Sequence, residues 1–251
     1  MPSPRSPAPD ARSDVDAIAH AQQVVVFALA TLAEQRESDS ENHLLRVQAY
    51  VRALAQKLQE QPAFASLLSD AYIDLLCRSV PLYDMGSIGV PERILLKPGP
   101  LTPDEVTLMR THTTVGHAAI GRAEQTLGRA SPLLVVAKEL ALSHHEKWDG
   151  SGYPQGLAAT QIPVAARIMA IADVYDALIS DKVYKQGVPH DRAVQVIFSE
   201  RGAHFDPDMV DAFIEIQDAF QHIARQHADT EADMRHRMEY MASSIADHAE
   251  L

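Results

Sequence analysis

The chain lacks the features that would let it cross a membrane or form disulfides. Its 251 residues include one cysteine, Cys77, so it cannot form an intramolecular disulfide, which fits a reducing compartment. The longest aliphatic stretch, Val24 to Ala33, is about ten residues long, whereas a helix that crosses a bilayer needs about twenty. No apolar segment near the N-terminus resembles a secretion signal. These absences predict a cytoplasmic protein without a membrane span.

Positive charge is also scarce. The chain has 22 Lys and Arg residues against 34 Asp and Glu residues, which gives a net charge of -12. Binding to duplex nucleic acid depends on many cationic side chains that neutralise phosphates. We therefore expect no nucleic-acid partner, and an anionic small ligand would need local positive charge.

The composition fits one sizeable domain with short additions at both ends. Hydrophobic residues make up 46% of the chain, enough for one core. We predict a disordered proline-rich tail at 1–14, an N-terminal helix at 15–37, the main domain at 38–220 and a helical extension at 221–251. No run alternates apolar and polar residues for long enough to predict a strand, so the fold class is all-α.

Several helix signals place histidines at defined points. A stripe of apolar residues predicts a helix over Asn42 to Gln59, with His43 on the same stripe. Thr102-Pro103-Asp104-Glu105 is a capping box that begins a helix containing His112. The apolar segment Leu133 to Leu142 predicts a helix that ends at His144 and His145.

Other signals complete the predicted helical layout. Pro62 opens a helical segment that runs toward Pro81, and a loop then continues to Pro100. Pro163 opens a helix over Val164 to Ile179. Two more helices are expected between Asp191 and Phe220.

Asp173 is predicted to be a buried carboxylate, because the helix from Val164 to Ile179 is apolar on nearly every side. A buried carboxylate needs an Arg or Lys partner or a metal ion. Asp84 and four core-helix histidines, His43, His112, His144 and His145, add imidazole and carboxylate groups that suit Fe, Mn, Zn or Ni. From these residues alone, a structural ion pair and a metal site both remain open.

The segment from His144 to Pro154 reads His-His-Glu-Lys-Trp-Asp-Gly-Ser-Gly-Tyr-Pro. It resembles the HHExxDGxGYP signature of the HD-GYP family, within the HD phosphohydrolase superfamily. The similarity continues through Ala172 to Leu178, includes Ile94 to Thr102 upstream, and extends over about Ser38 to Phe213.

This resemblance implies an HD-superfamily helical bundle with a metal site in its core, which hydrolyses cyclic di-GMP to pGpG and on to GMP. It implies two transition-metal ions, Fe or Mn, with Asp84 and His112 as catalytic residues. One ion would be held by Asp84, His112, His144 and His145, and a neighbouring ion by His43, Asp84, Asp173 and the histidine of the His-Asp dyad. Asp39 replaces a glutamate that serves a third ion in some members, and its shorter side chain weakens the case for that ion.

The dyad is where the chain departs from the family pattern. The pattern His-Asp-x-Gly-Lys is here Tyr83-Asp84-Met85-Gly86-Ser87. Tyr83 is either a packing residue whose hydroxyl finds a hydrogen bond or a phenolate ligand, and the latter suits only a strongly Lewis-acidic ion such as ferric iron. Ser87 cannot give a phosphate the cationic contact of a lysine. The alternative to an active enzyme is therefore an inactive module that binds a ligand or a protein.

The resemblance also assigns substrate and partner contacts. Tyr153, Lys182 and Lys185 would bind the substrate, although an arginine is usual at the position of Lys182. Gly150 and Gly152 allow the turn that presents Tyr153. The same Gly-Tyr-Pro loop would contact a diguanylate cyclase (GGDEF) domain, and the terminal helices could form a homodimer.

Overall fold

The computed structural model describes residues 11–37, 41–128, 131–181, 186–235 and 237–240. Apart from helical residues at 231–235 and 237–240, this part of the chain forms eleven α-helices, which confirms the all-α prediction. They are α1 (Ala11–Glu37), α2 (Glu41–Gln59), α3 (Pro62–Ala65), α4 (Asp70–Ser79), α5 (Glu92–Leu95), α6 (Pro103–Leu127), α7 (Pro132–Ser143), α8 (Val164–Ile179), α9 (His190–Ser199), α10 (Pro207–Glu215) and α11 (Gln217–Gln226). Within the described ranges there is no strand, only an isolated bridge between Arg201 and Phe205.

Helices α2 and α8 form the centre of the bundle and pack against each other. The apolar side chains of α8 are buried on most sides of the helix, as its composition predicts. On α2, Tyr50 stacks on Phe220 of α11 with ring centroids 4.6 Å apart, and Tyr175 of α8 meets both rings edge-on at 5.2 Å. Offset and edge-on aromatic pairs of this kind add to the stability gained from burial. The cluster therefore holds α2, α8 and α11 in register.

A second group of helices positions the candidate ligands. Helix α6 packs against α7 and against a short 3-10 helix, Met85–Gly89, which follows Asp84 directly. Gly86 makes this approach possible, because a Cβ atom there would overlap the carbonyl oxygen of His112 and lie 2.6 Å from the nitrogen of Gly116. The missing side chain thus lets the turn that carries Asp84 lie directly on the helix that carries His112.

Three of the predicted helix signals are confirmed. The Thr102 hydroxyl accepts a hydrogen bond from the Glu105 backbone N–H at 3.4 Å, and the Glu105 carboxylate accepts one from the Thr102 N–H at 2.8 Å. This is the predicted capping box, and α6 begins at the next residue. Helix α8 has the predicted bounds, and α7 ends immediately before His144.

Three other segments differ from the prediction. The segment from Pro62 is divided into α3 and α4, because the Ser69 hydroxyl accepts a hydrogen bond from the Tyr72 N–H and starts a new helix. The predicted loop toward Pro100 contains the 3-10 helices Val80–Leu82 and Met85–Gly89 and also α5. After Asp191 there are three helices rather than two, since the chain turns at Ile216 between α10 and α11.

The two ends of the chain also differ in part from the prediction. Helix α1 begins at Ala11, before the predicted start at Val15, and residues 1–10 of the predicted tail lie outside the described residues. In the C-terminal extension, residues 231–235 and 237–240 are helical, and Arg237 is buried. Among the described residues, no helix is both long enough and apolar enough to span a membrane.

We expect Gly86→Ala to lower the free energy of unfolding by about 1–3 kcal/mol, the usual cost of an added methyl group that has no space. The matched control is Gly121→Ala, at a glycine on α6. A Cβ atom added at Gly121 would lie 4.0 Å from its nearest neighbour, an atom of the Lys138 side chain. That change should stabilise the protein by about 0.5–1 kcal/mol, since alanine favours a helix interior. Urea unfolding of the two variants measures both effects, and a Gly86→Ala protein as stable as the wild type would contradict the packing described.

Candidate metal centre

Four of the predicted ligands come from three separate parts of the fold. Asp84 lies between two 3-10 helices, His112 is in the middle of α6, and His144 and His145 follow the last turn of α7. Each of the three histidines offers one ring nitrogen, and these three nitrogen atoms lie within 4.8 Å of one another. Nε2 of His112 is also 3.5 Å from Oδ1 of Asp84. The structure therefore brings together the predicted first ligand set.

Main-chain carbonyl groups orient two of these imidazoles. Nδ1 of His112 lies 2.6 Å from the carbonyl oxygen of Met109, and Nδ1 of His144 lies 2.8 Å from that of Leu140. Because a carbonyl oxygen can only accept, Nδ1 carries the proton in both rings and Nε2 keeps its lone pair. This is the usual arrangement of a histidine that binds metal through Nε2.

The two Nε2 atoms fit a bound cation. Both are buried, and within the described ranges neither has a hydrogen-bond partner. A buried polar atom without a partner is costly, and each such atom calls for an explanation. A transition-metal ion would satisfy both lone pairs, and imidazole is a suitable ligand for such an ion. The residues present therefore fit a metal ion at this position.

Burial also keeps these imidazoles neutral. It lowers the pKa of His144 to about 3, with a further contribution from His112, and it lowers the pKa of His112 and of His145. A histidine must be neutral to bind a metal ion. At neutral pH the rings are therefore in the form that a metal requires.

The residues predicted for a second ion have a different arrangement. Nε2 of His43 lies 2.9 Å from the Tyr83 hydroxyl, and the same hydroxyl donates to Oδ1 of Asp173 at 3.2 Å. Tyr83 is buried, whereas Asp173 is only half-buried. The hydrogen-bonding role considered for Tyr83 is thus observed, and the expected full burial of Asp173 is wrong.

Asp176, not Asp173, is the fully buried carboxylate of α8, with 1% of its surface exposed. Arg46 donates to both of its oxygens, at 2.6 Å and 2.9 Å, and Nδ1 of His43 donates to Oδ2 at 2.8 Å. Burial raises the pKa of Asp176, but the hydrogen bonds from His43 and Arg46 outweigh it and hold that pKa well below its ordinary value. Asp176 therefore forms a buried ion pair of the kind that was one of the two alternatives for Asp173, one helical turn further along α8.

The Gly-Tyr-Pro loop places an aromatic ring beside the cluster. Tyr153 stacks on His145 with ring centroids 4.8 Å apart, and the Arg110 guanidinium lies 4.7 Å from the centre of the Tyr153 ring. Gly150 has a positive φ of 83°, as a turn glycine can. Gly152 is needed for another reason, since a Cβ there would lie 2.5 Å from the Cα of Glu146.

Glu146 fixes the end of this loop through two hydrogen bonds. Its side chain is buried, and its two oxygens accept hydrogen bonds from the backbone N–H groups of Gln155, at 2.7 Å, and Leu157, at 3.0 Å. The carboxylate thus binds the chain on the far side of Tyr153 and Pro154. Glu146 therefore links the loop to the residue that directly follows the His144-His145 pair.

Some predicted site residues cannot be placed, and some residues near the site were not predicted. Asp39, Lys182 and Lys185 lie outside the described residues, so their roles stay predictions. Sequence reasoning missed Arg46, Arg110, Glu146 and Asp176. The one available signal was the spacing of Asp173 and Asp176 on α8, which puts two carboxylates on one side of the helix.

Comparisons with known proteins show what the chain is similar to. A family model described as HD domain matches residues 28–209. A protein of Vibrio cholerae serotype O1 named as a probable cyclic di-GMP phosphodiesterase is 51% identical over 213 residues, which are 85% of this chain and 48% of that protein. A second protein of the same organism, named as a cyclic di-GMP phosphodiesterase, is 48% identical over 83% of this chain and 42% of its own length. The chain thus spans less than half of either relative.

A solved structure supports the fold. The crystal structure of a cyclic GMP-AMP specific phosphodiesterase from V. cholerae matches with a TM-score of 0.59, over 85% of this chain and 52% of the other. At 19% sequence identity, this likeness shows the fold alone.

Replacing Glu146 should release the loop. In Glu146→Ala the N–H groups of Gln155 and Leu157 lose a charged acceptor worth about 1.5–3 kcal/mol, so their amide exchange should accelerate by about tenfold or more. Glu146→Gln is the matched control, because it keeps one oxygen and should release mainly one of the two amides. Hydrogen exchange followed by NMR measures both, and unchanged exchange in Glu146→Ala would show that Glu146 does not hold the loop.

Proposed function

The chain belongs to the HD domain family, and on that premise we propose that it is a metal-dependent phosphodiesterase that hydrolyses cyclic di-GMP. The observation that carries the proposal is the meeting of His112, His144 and His145 beside Asp84, with two buried Nε2 lone pairs that need a cation. The names of the two V. cholerae relatives support the choice of substrate.

Asp84, His112, His144 and His145 would hold the metal ion, and Fe or Mn suits this mixture of imidazole and carboxylate. Such an ion, when bound, lowers the pKa of water and neutralises charge on phosphate oxygens. The protein's own contribution is to keep the three imidazoles neutral and to orient His112 and His144 through main-chain carbonyl groups. Asp84 adds the negative charge that the imidazoles lack.

The loop residues would bind the nucleotide. Tyr153 would meet the nucleotide beside the cluster, and Arg110, whose guanidinium lies over the Tyr153 ring, offers a cation for a phosphate. Lys182 and Lys185 are further candidates for phosphate contacts on the strength of the family resemblance. In the reaction, the oxygen of water forms a bond to one phosphorus, the bond from that phosphorus to the ribose 3′ oxygen breaks, and the 3′ oxygen takes up a proton. The product is linear pGpG, and a second hydrolysis would give GMP.

The second candidate function is a module that binds the nucleotide without hydrolysing it. The observation that favours it is the Tyr83 hydroxyl between His43 and Asp173, where the family pattern has a ligand histidine. Ser87 is buried and supplies no cation where the pattern has lysine. In this role the Gly-Tyr-Pro loop would contact a GGDEF domain, and the exposed apolar side chains of α1, Ile18, Val25 and Leu32, would serve a homodimer.

Turnover under anaerobic, reducing conditions distinguishes the two functions. We expect protein loaded with Mn²⁺ or Fe²⁺ to convert cyclic di-GMP to pGpG, measured by chromatography, with 3′3′-cGAMP as the comparison substrate. His144→Ala should reduce the rate by more than about a hundredfold, since even residues that only support a metal ligand cost 10- to 100-fold.

His117→Ala is the control for this experiment. His117 lies on α6 outside the cluster, with Nδ1 3.3 Å from the Lys138 carbonyl oxygen, so its loss should leave turnover near the wild-type rate. If the metal-loaded wild type binds cyclic di-GMP but yields no linear product, hydrolysis is excluded and the binding module is the better account.

A further inference from the structure

The two predicted ligand sets differ in whether their Nε2 atoms have a hydrogen-bond partner. In the first set, Nε2 of His112 and Nε2 of His144 are buried without a hydrogen-bond partner among the described residues. In the second set, Nε2 of His43 has the Tyr83 hydroxyl at 2.9 Å. The first arrangement fits a cation, whereas in the second the nitrogen already forms a hydrogen bond with the Tyr83 hydroxyl.

The same hydroxyl serves the second carboxylate. It lies 3.2 Å from Oδ1 of Asp173, so one oxygen atom bridges the two groups that the family resemblance assigns to a second ion. A carboxylate of α1, that of Glu34, is 3.9 Å from Nε2 of His43, which leaves the hydroxyl as the nearer group. The Tyr83 hydroxyl oxygen thus lies within hydrogen-bond distance of both groups that the resemblance assigns to a second ion.

Packing holds the Tyr83 ring in this place. Its side chain is buried, with 4% of its surface exposed, and the ring meets His144 edge-on with centroids 5.1 Å apart. On the other side, His43 is fixed through Nδ1 by Asp176, which is itself held by two hydrogen bonds from Arg46. Moving the hydroxyl aside would therefore disturb both the first ligand set and a buried ion pair.

The chemistry of a phenol argues against its acting as a ligand in the same position. Phenols lose their proton only well above neutral pH, and a protonated hydroxyl is a weak ligand for Fe²⁺ or Mn²⁺. The same proton makes the hydroxyl a good hydrogen-bond donor to a carboxylate. A second divalent ion does not fit the residues present.

We infer that the Tyr83 side chain takes the place of the second ion, so that this centre holds one transition-metal ion, bound by Asp84, His112, His144 and His145. The inference rests on the proposed metal centre and changes its composition. It makes His43 and Asp173 partners of Tyr83 rather than metal ligands.

Metal stoichiometry tests this without reference to activity. The 251-residue chain would be loaded anaerobically with Mn²⁺ or Fe²⁺, desalted and measured by elemental analysis. We expect one ion per chain in the wild type, one in His43→Ala and none in His144→Ala. Tyr83→His restores an imidazole to the second set and should raise the count to two.

Electron paramagnetic resonance of the Mn²⁺ form gives an independent reading. A lone Mn²⁺ ion should give an isolated six-line signal in the wild type, whereas Tyr83→His should give the signal of a coupled pair. Circular dichroism and thermal unfolding check that each variant is folded. Since the wild type and His43→Ala decide the count by themselves, the test does not depend on Tyr83→His folding.

Two ions in the wild type, with one lost in His43→Ala, would overturn the inference. A folded Tyr83→His protein that still binds one ion would overturn the assignment to Tyr83. The proposed function can fail separately: one bound ion without hydrolysis of cyclic di-GMP would refute the activity and leave the inference intact, whereas hydrolysis with two bound ions would do the opposite.

Discussion

The candidate centre depends on hydrogen bonds from imidazole Nδ1 groups to main-chain carbonyl oxygens. His112 bonds to Met109 on its own helix, and His144 bonds to Leu140 one turn earlier. Because the helices fix these carbonyl groups, they also fix the tautomer and direction of each ring. The two Nε2 lone pairs then meet in a buried space, where a cation would satisfy both of them. Helix packing brings α6 against α7 and against the turn at Asp84, and so places the ligands close to one another.

A second network supports His43 by a different means, with charge in place of carbonyl groups. Asp176 accepts hydrogen bonds from His43 and Arg46, and Arg46 also donates to Asp229, which is paired in turn with Arg237. Buried charges are tolerated when they are paired in this way. The chain of contacts reaches residues beyond the predicted domain end at 220. Part of the C-terminal extension therefore belongs to the support of the site.

Much of the fold follows from local signals in the sequence. The capping box at Thr102 and the apolar segment from Val164 to Ile179 set helix ends through interactions within a few residues, so they could be predicted. The segment after Pro62 was harder, since a single serine, Ser69, divides it into two helices. Apolar spacing does not reveal such a break.

The site was predictable where family motifs carry it and less so where tertiary contacts decide. His112, His144 and His145 come together as the resemblance implies. Asp173 and Asp176 lie on the same apolar helix, and the choice of partner for each depends on Arg46 and Tyr83, which are distant in sequence. The role of Glu146 likewise depends on how the chain returns at Gln155 and Leu157. None of these contacts can be predicted from apolar spacing or from short motifs in the sequence.

The account stands or falls on imidazole ligation of a transition-metal ion. X-ray absorption spectroscopy of the protein loaded with iron or manganese tests this directly, because imidazole rings produce characteristic multiple scattering. We expect about three imidazole ligands together with oxygen ligands around the ion. A spectrum with oxygen ligands alone, as for an ion bound loosely to surface carboxylates, would contradict it.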